Sequence, residues 1–164
     1  MTFDQLNYLS ETEFISSLGA IFEHSPWVAA AVANQRPFSS LEELHGAMVN
    51  VVQHAKLEKQ LELIRAHPNL GAKLKMSEQS VSEQAGLGLD RLNPAEFERL
   101  SSLNAAYRKK FGFPFIIAVR NHTKASITDH FLTRLEHSEK LEIETALEQI
   151  GIIAKFRLQD LIAA

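Results

Sequence analysis

Apolar residues recur along most of this chain at intervals of three and four positions. Such intervals place side chains on one face of an α-helix. The clearest runs are Phe14, Leu18, Ile21 and Phe22; Leu41, Leu44, Met48, Val51 and Ala55; Phe97, Leu100, Leu103, Tyr107 and Phe111; and Leu147, Ile150, Ala154, Leu158 and Leu161. The pattern predicts an all-α fold in which each run faces the core.

Signals for helix ends agree with this pattern. Ser39 precedes Glu42 by three residues, the spacing of an N-terminal capping box, and Pro94 suits the first position of a helix. Gly112 is expected to end the helix that starts there. The periodicity breaks at about 69–92 and 111–121, where Gly and Pro accumulate, and we expect these stretches to contribute to a functional site.

Composition narrows the class of protein. The chain has 164 residues, 45% of them hydrophobic, which is enough for one core, so we predict a single domain over residues 1–164. The net charge of -3 is small and both signs are interspersed, so we expect no nucleic-acid partner. The first residues include acids and no long apolar run, and cysteine is absent; we expect a cytoplasmic protein without membrane contact.

His67 continues the apolar stripe of Leu57, Leu61 and Ile64, and Pro68 disfavours helical geometry at the histidine. The imidazole is therefore predicted at the C-terminal end of a helix. Carbonyl dipoles there raise the pKa of a histidine and favour a proton donor near neutral pH, unless burial lowers that pKa. The alternative is a histidine that only caps the last carbonyls, which is the more common role of an isolated His-Pro pair.

The stretch from Ser80 to Gln84 offers a second candidate group. If it is helical, Ser80, Glu83 and Gln84 share one face and present a hydroxyl, a carboxylate and an amide. Ser-x-x-Glu is equally the pattern of a capping box, so spacing leaves ligand binding and capping open.

An apolar run from Phe111 to Val119 contains Pro114, which is incompatible with a simple helix interior. One interpretation is a pocket wall whose backbone amides face a small polar heterocycle. The other, which the pattern alone favours, is a buried connector or short strand.

Arg157 lies beside the apolar stripe of the last predicted helix. Its guanidinium could bind a substrate carboxylate through two parallel hydrogen bonds. Pairing with Asp160, three residues on, or extension of the side chain into water are the more common alternatives.

Evidence for a metal site is weak. No two histidines stand three or four residues apart, and the single Glu-x-x-His motif, Glu42 to His45, is half of what a di-iron bundle requires. A metal-dependent hydrolase using Glu42, His45, His54 and Glu58 is the least favoured alternative.

Three sequence blocks follow one another in order: His67-Pro68-Asn69-Leu70-Gly71, then Ser80-Val81-Ser82-Glu83-Gln84 with Ala85-Gly86-Leu87, then Lys110 to Phe115 running to Asn121. Together they resemble the OHCU decarboxylase family, where OHCU is 2-oxo-4-hydroxy-4-carboxy-5-ureidoimidazoline. The stretch Ile153 to Leu158 is also similar to that family. The chain departs from the family at two positions: Asn69 stands where an acid is common, and Leu87 stands where a smaller residue is common. Both departures concern the fine shape of the pocket. The resemblance covers most of the chain.

The resemblance implies an all-α homodimer in urate breakdown, with no metal or organic cofactor, that decarboxylates OHCU to (S)-allantoin. His67 matches the catalytic histidine of the family. Substrate contacts would fall on Pro68, on Ser80, Val81, Ser82, Glu83 and Gln84, on backbone groups of Phe115, Ile116, Ile117, Ala118 and Val119, and on Arg157.

A mechanism follows as a hypothesis. The substrate can act as its own electron sink, so no pyridoxal or thiamine is needed. Glu83 would orient the substrate, His67 would carry out general acid and base chemistry, and Arg157 or Ser80 would hold the carboxylate. A helical interaction module without activity is the alternative from another class, since it would explain the periodicity equally well.

Overall fold

The computed structural model describes residues 1–68 and 94–162. Across these residues it contains helices and no β-strand, which confirms the predicted all-α fold. The α-helices are α1 (Phe3–Tyr8), α2 (Glu11–Leu18), α3 (Pro26–Val32), α4 (Leu41–Gln53), α5 (Leu57–Ala66), α6 (Pro94–Phe111), α7 (Lys124–Leu135) and α8 (Glu139–Leu161), with short 3-10 helices at Ala33–Gln35 and Val119–Asn121. None of the described helices is long and apolar enough to cross a membrane.

The chain divides into two compact units. The first comprises Met1–Ala66 and the chain from Ile150 onward, and the second comprises His67–Gln149. The prediction of a single domain over residues 1–164 stays a prediction.

The core of the first unit contains most of the predicted apolar stripes. Helix α2 packs on α3, and α3 packs on α4. The run from Phe14 to Phe22 is buried, as predicted. In α4 the burial is narrower than predicted: Leu44 and Met48 are buried, whereas Val51 is only partly covered.

The core of the second unit is aromatic. Helix α6 packs on α7, and the buried rings include Tyr107, Phe111, Phe113, Phe115 and Phe131. The predicted stripe of α6 is wrong at its first member, because the side chain of Phe97 is 55% exposed. Only its later members reach the aromatic core.

The helix ends show how closely local signals specify the boundaries. Helix α4 is capped by Ser40, one residue later than predicted: the Ser40 hydroxyl accepts a hydrogen bond from the backbone N–H of Glu43. The Glu43 carboxylate in turn accepts from the N–H and hydroxyl of Ser39. Pro94 begins α6 as predicted, and Gly112 follows its last residue with a φ of 76°, a conformation that favours glycine.

Candidate functional site

His67 stands immediately after α5, which ends at Ala66. The predicted position at a helix end is therefore correct, and only 6% of the residue surface is exposed. Pro68 follows and is partly buried. A buried imidazole at this point is shielded from solvent, which is a condition for controlled proton transfer.

The residues from Phe115 to Val119, here called the wall segment, form a buried connector without strand pairing. Each of its five residues is at most 7% exposed. The connector interpretation is therefore confirmed. A role as a pocket wall is compatible with it, because an extended buried segment still carries a backbone donor and acceptor at each residue.

In the described part of the chain, two side chains bind the backbone of the wall segment. Arg134 Nη1 donates to the carbonyl of Ile116 at 2.6 Å, and the N–H of Ala118 donates to Gln149 Oε1 at 2.9 Å. The carbonyls of Ala118 and Val119 accept hydrogen bonds within the turn that follows. None of these hydrogen bonds uses the N–H or the carbonyl of Ile117.

Arg134 belongs to a buried polar group that we call the Glu142 network, formed by Tyr107, Arg134, His137 and Glu142. Glu142 is fully buried, and its Oε1 accepts from Arg134 Nε at 2.5 Å and from the Tyr107 hydroxyl at 2.6 Å. His137 Nδ1 lies 2.9 Å from the other oxygen, Oε2. A buried carboxylate requires such partners because its desolvation is costly.

Aromatic rings enclose this network. The guanidinium of Arg134 lies 4.2 Å from the centroid of the Phe115 ring, a cation–π arrangement. Phe115 stacks on Phe131 on α7, with ring centroids 3.7 Å apart. Burial, followed by the hydrogen bond to Glu142, raises the pKa of Tyr107 well above its usual range. The phenol therefore stays protonated and donates to the carboxylate.

Arg157 on α8 is 4% exposed, so the alternative in which its side chain extends into water is wrong. Its Nη1 lies 3.2 Å from Glu23 Oε2, and the carbonyls of Ala20 and Ile21 are each 3.5 Å from the same nitrogen. His24 has a φ of 48°, in the left-handed region, directly after Glu23. The turn after α2 thus wraps around the guanidinium.

Other predicted site residues fall outside the described part of the chain. These are Ser80, Val81, Ser82, Glu83 and Gln84, together with the two family departures Asn69 and Leu87. Their roles stay predictions. Of the predicted residues that the structure does describe, His67, Pro68 and the wall segment belong to the second unit, and Arg157 belongs to the first.

The residues of the metal alternative do not assemble into a metal site. His45 Nε2 is 2.7 Å from the carbonyl of Gly151, and His54 Nδ1 is 2.9 Å from the carbonyl of Asn50. Within residues 1–68 and 94–162, no group of three or more His, Cys, Asp or Glu side chains has the arrangement of metal ligands.

Four residues that bind predicted site residues or support such a partner were not predicted: Glu23 in the first unit, and Arg134, Glu142 and Gln149 in the second. A signal existed for two of them. Arg134 continues the buried positions of Ile127 and Phe131 on α7, and Glu142 precedes buried Ala146 by one turn of α8. A charge that continues an apolar stripe indicates a buried ion pair. Glu23 lies in a turn, where periodicity gives no such signal.

Known proteins resemble this chain along nearly its whole length. A family model described as OHCU decarboxylase matches residues 7–159. The 2-oxo-4-hydroxy-4-carboxy-5-ureidoimidazoline decarboxylase of Halalkalicoccus jeotgali is 45% identical over 161 residues, which cover 98% of this chain and 92% of that protein. The uric acid degradation bifunctional protein PucL of Bacillus subtilis is 47% identical over 161 residues, covering 98% of this chain and 33% of PucL. A crystal structure of (S)-allantoin synthase matches with a TM-score of 0.82 and 36% identity, covering 99% of this chain and 54% of that one.

Proposed function

This chain belongs to the OHCU decarboxylase family, and on that basis we propose that it converts OHCU to (S)-allantoin and carbon dioxide in urate degradation. The observation that carries the proposal is the extent of the family match, which runs from residue 7 to residue 159. It includes His67, the wall segment and Arg157. No observation favours the interaction module or the hydrolase over this activity.

The chemistry requires little beyond the substrate and the protein. Loss of carbon dioxide from the hydroxyl-bearing carbon leaves an electron pair, which the adjacent ring C=N accepts while its nitrogen takes up a proton, giving an enol. Removal of the hydroxyl proton and delivery of one proton to a single face of the neighbouring carbon then give the product. We propose that the reaction proceeds without a metal or organic cofactor, because the substrate supplies its own electron sink.

His67 is the proposed general acid and base. Its burial supports this role, since a shielded imidazole exchanges protons with a bound molecule rather than with bulk water. Such a group typically contributes about 10²–10⁴-fold to the rate. Glu83 is the proposed partner that orients the substrate and accepts hydrogen bonds from its hydroxyl or ureido group.

The remaining contacts would hold the heterocycle. We assign this role to Pro68, to the backbone of the wall segment, and to Ser80 with Val81, Ser82 and Gln84. The buried character of Phe115 to Val119 supports the assignment, because hydrogen bonds to backbone groups are stronger where water is excluded.

Arg157 is one proposed holder of the leaving carboxylate, and Ser80 is the other. Glu23, 3.2 Å from Arg157, shares the positive charge of the guanidinium. Such sharing suits a decarboxylase, because a full ion pair with the substrate would stabilise the carboxylate against conversion to neutral carbon dioxide. Glu23 would thus weaken the ion pair between Arg157 and the substrate carboxylate.

The activity can be tested with OHCU generated in situ from urate by urate oxidase and hydroxyisourate hydrolase. The circular dichroism of allantoin is followed for wild type, His67→Ala and Glu83→Gln. We expect wild type to form a single enantiomer of allantoin rapidly. The rate of His67→Ala should be about 10²–10⁴-fold lower.

The matched control is His54→Ala, since His54 is an exposed histidine at the end of α4. It should retain the wild-type rate. A wild-type signal equal to that of spontaneous decay would overturn the proposed activity. If His67→Ala reacted at the wild-type rate, the proposed activity would still hold, but the proposed role of His67 would be wrong.

We also propose a cytoplasmic homodimer that binds no nucleic acid. The family resemblance supports the homodimer, the small net charge of -3 supports the absence of a nucleic-acid partner, and a chain without cysteine suits a reducing compartment. Size-exclusion chromatography with light scattering would test the dimer: a mass near 18.4 kDa, that of one chain, would contradict it.

A further inference from the structure

We propose that Arg134 and Gln149 are positioning residues that hold the two peptide units on either side of Ile117 and so orient its N–H and carbonyl toward the substrate. The inference rests on the proposed function, in which the wall segment contacts the substrate. Neither residue belongs to the substrate contacts proposed above.

The geometry of the peptide unit carries the first step. Arg134 Nη1 binds the carbonyl of Ile116, and Gln149 Oε1 binds the N–H of Ala118. In a planar trans peptide the carbonyl and the N–H point in opposite directions. The N–H of Ile117 therefore points away from Arg134, and its carbonyl points away from Gln149.

The two hydrogen bonds consequently restrain both backbone torsions of Ile117. One planar unit precedes this residue and the other follows it, so fixing both planes fixes φ and ψ between them. The donor and the acceptor of Ile117 are then held in a defined relation. A heterocycle with amide and ureido groups carries both donors and acceptors and can hydrogen-bond to both members of such a pair.

The support behind Arg134 makes the restraint rigid. The guanidinium is 3% exposed, bonded to Glu142 through Nε and stacked on the ring of Phe115. Phe115 itself belongs to the wall segment, so Arg134 contacts that segment through both a ring and a carbonyl. Preorganised groups of this kind lower the cost of ordering a site around its ligand.

Gln149 provides the sharper test because it is only partly buried. Gln149→Met keeps the length of the side chain and removes the acceptor, whereas Gln149→Glu keeps an acceptor. We expect Gln149→Met to raise KM about 2- to 10-fold, the effect of one hydrogen bond, with kcat changed by less than about twofold. Gln149→Glu should restore most of the wild-type KM.

A second measurement is independent of activity. Hydrogen exchange at the backbone amide of Ala118, followed by NMR, should quicken in Gln149→Met and slow again in Gln149→Glu. Arg134→Lys keeps a cation beside Glu142 but loses the planar guanidinium that binds both Glu142 and the carbonyl of Ile116. The KM of this variant should therefore rise by a factor similar to that expected for Gln149→Met.

The control is Glu148→Gln, an exposed neighbour on α8, which should leave KM and the exchange rate unchanged. An unchanged KM in Gln149→Met, or equal impairment of Gln149→Met and Gln149→Glu, would overturn the inference. Inactive wild-type protein would instead overturn the proposed function, and the exchange rate of Ala118 would still report whether Gln149 holds the wall segment.

Discussion

Glu142→Leu should destabilise the protein more than most single substitutions. The wild-type carboxylate is fully buried and balances Arg134, whose guanidinium is 3% exposed. Leucine leaves that buried cation without its counter-ion and leaves the Tyr107 hydroxyl without its acceptor. Breaking a buried ion pair from one side costs about 3–5 kcal/mol. That is a large share of the roughly 5–15 kcal/mol by which a domain is stable.

Urea unfolding followed by far-ultraviolet circular dichroism measures this change. The double variant Glu142→Leu with Arg134→Met completes the test, since it removes both charges of this buried ion pair. We expect it to recover most of the stability lost in Glu142→Leu, because an apolar replacement of a buried pair is often close to neutral.

The control is Glu148→Leu, which removes an exposed carboxylate from the same helix and should change the unfolding free energy by less than about 0.5 kcal/mol. A loss below about 1 kcal/mol in Glu142→Leu would refute the reasoning, because it would mean that the guanidinium can find other partners or water. A double variant less stable than Glu142→Leu would refute it equally.

Three further predictions concern titration and turnover. Burial raises the pKa of Tyr107, so the unfolded chain loses this phenol proton at a lower pH than the folded chain does. The free energy of unfolding should therefore fall above pH about 10. Tyr107→Phe should make this fall less steep by up to about 1.4 kcal/mol per pH unit. Burial, then the charge of His130, lowers the pKa of His122, so in NMR titration its ring should protonate below about pH 6.5, and His130→Gln should raise that midpoint. If Arg157 holds the substrate carboxylate, Glu23→Gln should lower KM and kcat together, each by roughly two- to fivefold, because glutamine removes the negative charge but keeps a hydrogen-bonding oxygen beside the guanidinium.

Each of these has its own control. Tyr8→Phe alters a phenol that is 90% exposed and should leave the alkaline fall in stability unchanged. His54→Gln, remote from α7 in the chain, should not move the His122 midpoint. A KM that rises in Glu23→Gln would mean that Glu23 mainly supports the position of Arg157 rather than moderating its charge.

Part of the candidate site followed from the sequence. The position of His67 at a helix end, the irregular wall segment and a functional role for Arg157 were each proposed from local pattern or family resemblance. The partners of these groups were not. Arg157 pairs with Glu23, which is 134 residues away in the sequence, and Tyr107 donates a hydrogen bond to Glu142, which is 35 residues away.

Local pattern was enough to predict several helices and some of their ends, because these depend on interactions within about four residues: apolar periodicity, a capping hydroxyl near Ser39 and Ser40, and a glycine that accepts positive φ. The family could also be predicted from the sequence, through motifs that keep their order. Which charges are buried together, and which wall carbonyl Arg134 binds, became visible only in the folded chain. Those pairings depend on how helices pack, and side-chain spacing along one helix does not specify which residue of a neighbouring helix lies against it.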